Sequence, residues 1–224
     1  SFPQACLASI AIHTPEPYEL IIVDNGSSDG TQDWLKQQAA QDCRIKIILN
    51  ESNRGFAAGC NQGVAAASGN YFLLLNNDTV VTPDWLSGLH EVLSRYPDAG
   101  IIGPMTNSAS GVQVVAGVGY DNLDVLPAWA MQFRENNRYR AIPQRRIVGF
   151  CMFFHRELVD KVGLLDESFG SGNYEDDDYC LRAELAGYRN YIAGDVFIHH
   201  VGGASFSGNN VQYTKAMRDN RQLF

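Results

Sequence analysis

Nowhere does this 224-residue chain hold a run of about 18 apolar residues, so no stretch reads as a helical membrane span. The first residues lack the basic-then-apolar order of a secretory leader, and a soluble chain is the expectation. Basic residues are scarce. Lys and Arg number 17 against 25 Asp and Glu, a formal charge of −8, which excludes generic nucleic-acid binding through clustered cations. Cysteines are few, odd in number and scattered, at Cys6, Cys43, Cys60, Cys151 and Cys180. Without a Cys-x-x-Cys pair they suggest neither a zinc site nor a dithiol redox centre, and they read as buried free thiols in a reducing cytoplasm. Repeats and linker-like segments are also missing, so one domain is expected over residues 1–224. The 45% of hydrophobic residues suffices for its core.

Along the chain, ELIIVDN (19 to 25) is a branched apolar run stopped by Asp, Asn and Gly, as in a buried parallel strand entering a loop. TQDWLKQQAAQ (31 to 41) reads as a helix, RIKIILN (44 to 50) as a strand, GFAAGCNQGVAAASG (55 to 69) as a helix and NYFLLLNND (70 to 78) as a strand. From Pro83, apolar residues recur at helical spacing up to Pro97. This alternation predicts right-handed crossovers and a parallel sheet covered on both faces, with ligands beyond the carboxyl ends of its strands. Asp24 and Asp78 both fall at such ends.

Residues 105 to 146 resist assignment, and within them Arg134, Arg138, Arg140, Arg145 and Arg146 form either a solvated loop or a basic arm over an anionic ligand. A strand and short helix are expected over 148 to 163, a helix over 175 to 188, and a short strand pair ending at His199 and His200. Glu175, Asp176, Asp177 and Asp178 open a predicted helix. One or two acids there gain from the helix dipole, whereas four repel one another unless a cation or a role in proton transfer compensates. The histidine pair reads either as structural or as one metal ligand, because adjacent strand residues point to opposite faces. Neither DNGSSDG nor NESNRG alternates its acidic oxygens as a calcium loop requires.

Taken in order, IIVDNGSSDGT, NRGFAAGCNQG, YFLLLNNDTVV, GFCMFFHRELVDKVGLLDESF, EDDDYCLRAELAGY and HHVGGASF resemble family 2 glycosyltransferases of the GT-A fold, in particular the rhamnosyltransferase-like branch. The resemblance implies an α/β domain with a Rossmann-like, mostly parallel sheet flanked by helices. Its nucleotide-binding half would span 1–104, and its smaller, mixed acceptor and catalytic half 105–224. It also implies that Asp24 contacts the nucleotide base, that Asn53 and Gly55 line the same pocket, and that Asn76, Asn77 and Asp78 match the D-x-D motif. With asparagine in the first position, Asp78 alone would offer a carboxylate to Mg²⁺ or Mn²⁺. His200, with Gly202, Gly203 and Ser205, matches the H-x-G-G-x-S pattern as a metal-side histidine, and His199 is the fallback. Asp176, beside Glu175, matches the catalytic base.

The activity so implied is inverting transfer of a sugar from a nucleotide-diphosphate donor to a hydroxyl on a saccharide or lipid-linked saccharide. The family's setting is cell-envelope polysaccharide or O-antigen synthesis, cytoplasmic or peripheral at the inner face of the membrane. One departure stands out: the family's first central strand has no match, and the chain opens at SFPQACLASI, which resembles the helix after it. A non-catalytic scaffold domain of the same fold is the rival this departure supports. A nucleotidyltransferase would need a Gly-rich, Lys-containing loop that the sequence lacks.

Overall fold

The computed structural model describes residues 2–170, 172–202, 218, 220–222 and 224. Its first part alternates helix and strand: α1 (Phe2–His13), β1 (Leu20–Asp24), α2 (Thr31–Gln41), β2 (Ile45–Leu49), α3 (Phe56–Ala66), β3 (Tyr71–Leu75), the two-residue β4 (Thr79–Val80) and α4 (Trp85–Arg95). There follow β5 (Ala99–Thr106), α5 (Leu126–Asn136), β6 (Ala141–Gln144), β7 (Cys151–His155), α6 (Arg156–Val162), α7 (Glu175–Leu185) and β8 (Arg189–His200). The stretch that resisted assignment thus supplies a helix and an edge strand. The expected terminal strand pair is instead one long strand, β8.

Instead of one mostly parallel sheet the described residues form two, a parallel pair of β1 and β2 and a mixed sheet of the other six strands in the order β3-β7-β5-β8-β4, with β6 also paired to β8. Strands β1 and β2 run parallel, as do β5 and β8, whereas β3 with β7, β5 with β7, β6 with β8 and β4 with β8 are antiparallel. β7 is the cause: it inserts between β3 and β5 after the long excursion from 107 to 150, and enters against both. Its residues CMFF are buried on both faces, and such a run reads the same in either direction.

Two cores cover the two faces of this sheet, divided by strand alternation. Phe72, Leu74, Ile101, Met152 and Phe154 join α3, α6 and α7 on one side. Ile102, Cys151, Phe153 and Ile198 join Cys6 and Ile10 of α1 and Trp85, Leu89 and Val92 of α4 on the other. The side-chain alternation breaks on β5, where Ala99 and Ile102 share the α1/α4 core three residues apart, and again on β8. On β8, Ala193 and Val196 share the α1/α4 core although they are three residues apart, and the β5 register jumps from Pro104 against Ala193 to Met105 against Phe197. This bulge reverses the phase of every later residue on β8.

Strand β1 pairs with β2 on one edge and β3 with β7 on one edge, and among the described residues neither has a ladder on its other edge. Both remaining edges line a common trough.

Candidate active site

The trough is part of one open cavity of about 2450 Å³, which at the carboxyl ends of β1 and β3 is lined by Asp24, Asp78, Arg146, Glu175, Asp176 and His200. At the end of β1, Asp24 is buried, and its Oδ1 accepts hydrogen bonds from the Gly26 and Ser27 amides at 3.1 and 3.0 Å and from Gln32 Nε2 at 2.8 Å. Burial opposes its ionisation, but the bonds from Ser27, Gln32 and Gly26 outweigh it and hold the carboxyl below its usual range. The loop after β2 is shaped by Asn53, whose Oδ1 accepts from the Gly55 amide at 2.9 Å. Asn53 lines the cavity. Gly55 does not; at φ 91° it supplies the left-handed turn that starts α3.

Beyond β3 the chain turns through Asn76, Asn77 and Asp78. The Asn76 amide donates to Phe150 O at 2.9 Å, its carbonyl accepts from Thr79 Oγ1 at 2.7 Å, and the Asp78 carbonyl accepts from the Val201 amide at 3.0 Å. Turn chemistry and site chemistry therefore coexist in this stretch. The Asp78 side chain is buried, with Oδ1 3.2 Å from His200 Nε2.

His200 stacks flat on Phe150, ring centroids 4.9 Å apart, and its Nδ1 lies 2.7 Å from the Ser108 carbonyl. A carbonyl only accepts, so Nδ1 carries a proton. In a neutral ring Nε2 would then turn a lone pair toward the Asp78 carboxylate, and the two acceptors need a proton or a cation between them. Burial disfavours charge on both groups, yet their mutual attraction outweighs it: Asp78 is held below its usual range, and His200, helped by Ser108, above its own. One carboxylate and one imidazole facing each other fit a hard divalent ion that takes its remaining ligands from water or phosphate. Among the described residues no group of three or more His, Cys, Asp or Glu side chains is arranged to hold such an ion.

His199 points the other way. Its Nδ1 lies 2.6 Å from Tyr120 Oη, and it does not line the cavity. The bulge on β8 makes this choice, because unbroken alternation would have put His199 on the Asp78 side. Gly202 is in the left-handed region at φ 73°; Gly203 and Ser205 lie outside the described residues.

The fourth wall is the first turn of α7, entered through Asn173 and Tyr174, two consecutive non-glycine residues at φ 77°. The side chain of Asn220 pins this entry by donating to the carbonyls of Phe169, Gly172 and Asn173 at 2.8 to 3.0 Å. The four acids that follow diverge. Asp178 pairs with Arg182 at 2.7 Å. Asp176 is buried, its Oδ2 accepting from the Gly149 amide at 2.8 Å. Glu175 is 5% exposed, its Oε2 lacks a hydrogen-bond partner, and burial together with repulsion from Asp176 pushes its carboxyl up to about 7. The same two causes push Asp177 up to about 6 against the opposing pull of Arg146.

Three contributors escaped the sequence reading, one of them the Ser108 carbonyl that orients His200. A Cβ on Gly149 would lie 3.3 Å from Asp176 Cβ, so the glycine permits the close approach that lets its amide hold Asp176. Phe150 supplies the platform under His200, and nothing in its apolar run distinguishes it.

The family model for glycosyl transferase family 2 matches residues 4–163. The protein y4gI of Sinorhizobium fredii is 30% identical over 203 residues, covering 84% of this chain and 22% of its own length. Glycosyltransferase AglE of Haloferax volcanii is 27% identical, covering 88% and 62%. An N-acetylglucosaminyl-diphospho-decaprenol L-rhamnosyltransferase of Mycobacterium tuberculosis is 23% identical, covering 87% and 70%. The chain therefore spans less than two thirds of the first two of these relatives. Among solved structures, the mannosyltransferase PcManGT from Pyrobaculum calidifontis, in complex with GDP-Man and Mn²⁺, superposes with a TM-score of 0.67 at 16% identity over 99% of this chain and 58% of that one. S. aureus TarS 1-349 in complex with UDP-GlcNAc gives 0.64 at 15% over 96% and 60%. The fold is the GT-A fold.

Proposed function

The chain belongs to glycosyl transferase family 2, and from that premise we propose that it transfers a sugar from a nucleotide-diphosphate donor to an acceptor hydroxyl with inversion at the anomeric carbon. The observation that carries this reading is convergence. Asp24 from β1, the facing pair Asp78 and His200 from the β3 turn and β8, and Asp176 from α7 meet in one cavity beyond the carboxyl ends of the strands. In this reading Asp24, Asn53, Asn76 and Asn77 hold the nucleoside, and Gly55 shapes the loop that carries Asn53. Asp176, oriented by the Gly149 amide, takes the proton of the acceptor hydroxyl as that oxygen attacks. Glu175, about half protonated at neutral pH, leaves the base with less negative charge beside it than a fully ionised neighbour would.

Asp78 and His200 would hold Mg²⁺ or Mn²⁺, which when bound supplies positive charge against the departing nucleoside diphosphate. The Mn²⁺ in the PcManGT complex supports a divalent ion. A saccharide or lipid-linked saccharide of the cell envelope is the acceptor class proposed, supported by the diphospho-decaprenol sugar in the name of the mycobacterial relative.

The test is a panel of nucleotide sugars read as released nucleoside diphosphate, beside calorimetry with uridine, thymidine and guanosine diphosphates with and without Mn²⁺. Manganese-dependent binding of one base together with slow donor hydrolysis is expected. Asn76, an amide in the place of a carboxylate, favours a second reading as a domain that binds without transferring; binding with no turnover of any donor would select it.

A further inference from the structure

The five arginines between 134 and 146 do not act as one arm. Arg134 pairs with Glu91 and the buried Asp195, and Arg138 with Glu135. Among the described residues lining the cavity, Arg146 alone is an arginine or lysine, in a wall otherwise rich in carboxylates. One short loop links it to the His200 wall of the cavity: Nη1 donates to Ser110 Oγ at 2.7 Å, two residues after the Ser108 carbonyl that holds His200.

The bonding of this guanidinium is incomplete. Nε lies 2.6 Å from Asp177 Oδ1, but it is buried and out of line for a hydrogen bond, and Nη2 is 3.8 Å from Asp176 Oδ2, beyond hydrogen-bond reach. Apart from this close ion pair with Asp177, the guanidinium makes one hydrogen bond among the described residues, to Ser110. A planar fork in this condition, with its side chain 41% exposed, suits an anion that accepts two bonds side by side.

We propose that Arg146 is a diphosphate-binding residue which Asp177 holds beside the cavity until the donor arrives, and which then moves its fork onto the diphosphate. This rests on the reading of the cavity as a nucleotide-sugar site. The exchange breaks one misaligned ion pair, forms aligned charge-assisted hydrogen bonds, and withdraws a cation from beside Asp176. Two carboxylates and one arginine thereby serve both states of the site: the arginine tempers their repulsion in the empty cavity, and the donor's own negative charge replaces theirs as its partner.

Opposite effects of the two partners are the signature. In calorimetry with inorganic pyrophosphate and with the nucleoside diphosphate that binds the parent, both with Mn²⁺, Arg146→Gln should weaken binding about tenfold to hundredfold. Affinity for the bare nucleoside should stay within about twofold. Arg146→Lys should fall between, and Asp177→Asn, which releases the arginine, should tighten diphosphate binding several-fold. Circular dichroism of each variant guards against unfolding. Equal losses for nucleoside and diphosphate in Arg146→Gln, or weaker diphosphate binding in Asp177→Asn, would overturn the handover and leave the nucleotide-sugar reading standing. Failure of the parent to bind pyrophosphate or any nucleoside diphosphate would overturn both.

Discussion

Glu175→Gln should make the protein's stability less sensitive to pH, by an amount the site itself sets. The Glu175 carboxyl is 5% exposed, has an oxygen without a hydrogen-bond partner, and is pushed from 4.5 up to about 7 by burial and by Asp176. Because its folded pKa lies above its unfolded one, the folded state binds more protons between those values, and stability falls as pH rises across the window. With about 1.4 kcal/mol per pKa unit, the two pKa values give a loss of about 2.5 kcal/mol between pH 5 and pH 8 from this group alone. The glutamine variant cannot ionise. Its amide adds a burial cost of about 1 to 3 kcal/mol that is the same at both pH values, so the difference between them isolates the ionisation. Urea unfolding followed by tryptophan fluorescence, in EDTA at pH 5 and pH 8, measures it. The parent should lose about 2.5 kcal/mol more than the variant over that interval. If the two proteins change in parallel, Glu175 is not a buried ionisable group and the charge balance described around Asp176 is wrong.

Asp176→Asn should lower turnover by about 10² to 10⁴-fold with nucleotide-sugar affinity nearly unchanged, measured by released diphosphate and calorimetry; collapse of binding would make Asp176 a binding residue. His200→Ala should abolish the manganese dependence of nucleotide binding, whereas His199→Ala should keep it, since His199 bonds Tyr120 on the opposite face of β8; the reverse result would refute the phase set by the bulge. Arg134→Met should cost about 1 to 3 kcal/mol in urea unfolding by stranding the buried Asp195, which among the described residues keeps the Tyr139 amide at 3.0 Å. Adding Asp195→Asn should recover most of that loss, and a double variant no more stable than the single would deny the pair its role.

Local elements were legible where one signal sufficed. The apolar run stopped by Asp24 and the helical spacing after Pro83 each became the element expected, β1 and α4, within two residues. Strand direction was not legible. β7 is buried on both faces, so no alternation marks which way it runs, and a strand–helix–strand order says nothing about a later strand inserted between the first two. The site divides along the same line. The carboxylates announced themselves by ending strands or crowding a helix start, but the groups that orient them did not. Gly149 acts through a backbone amide, Phe150 through a ring face, and Ser108 through a carbonyl.

The two adjacent histidines show how far such information lies from the residues that use it. By alternation from Tyr191 and Ala193, which face the α1 and α4 core, His199 should face Asp78 and His200 should turn away. The opposite holds because β8 gains a bulge between Ala193 and Phe197, where it leaves the straight ladder with β5. Gly194 lies in that bulge, its amide donating to the Arg140 carbonyl at 2.6 Å and the position of a Cβ only 2.9 Å from Arg140 Cγ. A side chain there would push Arg140 and the start of β6 away. The choice of the histidine that faces Asp78 is thus made six residues upstream, by a glycine that touches neither of them.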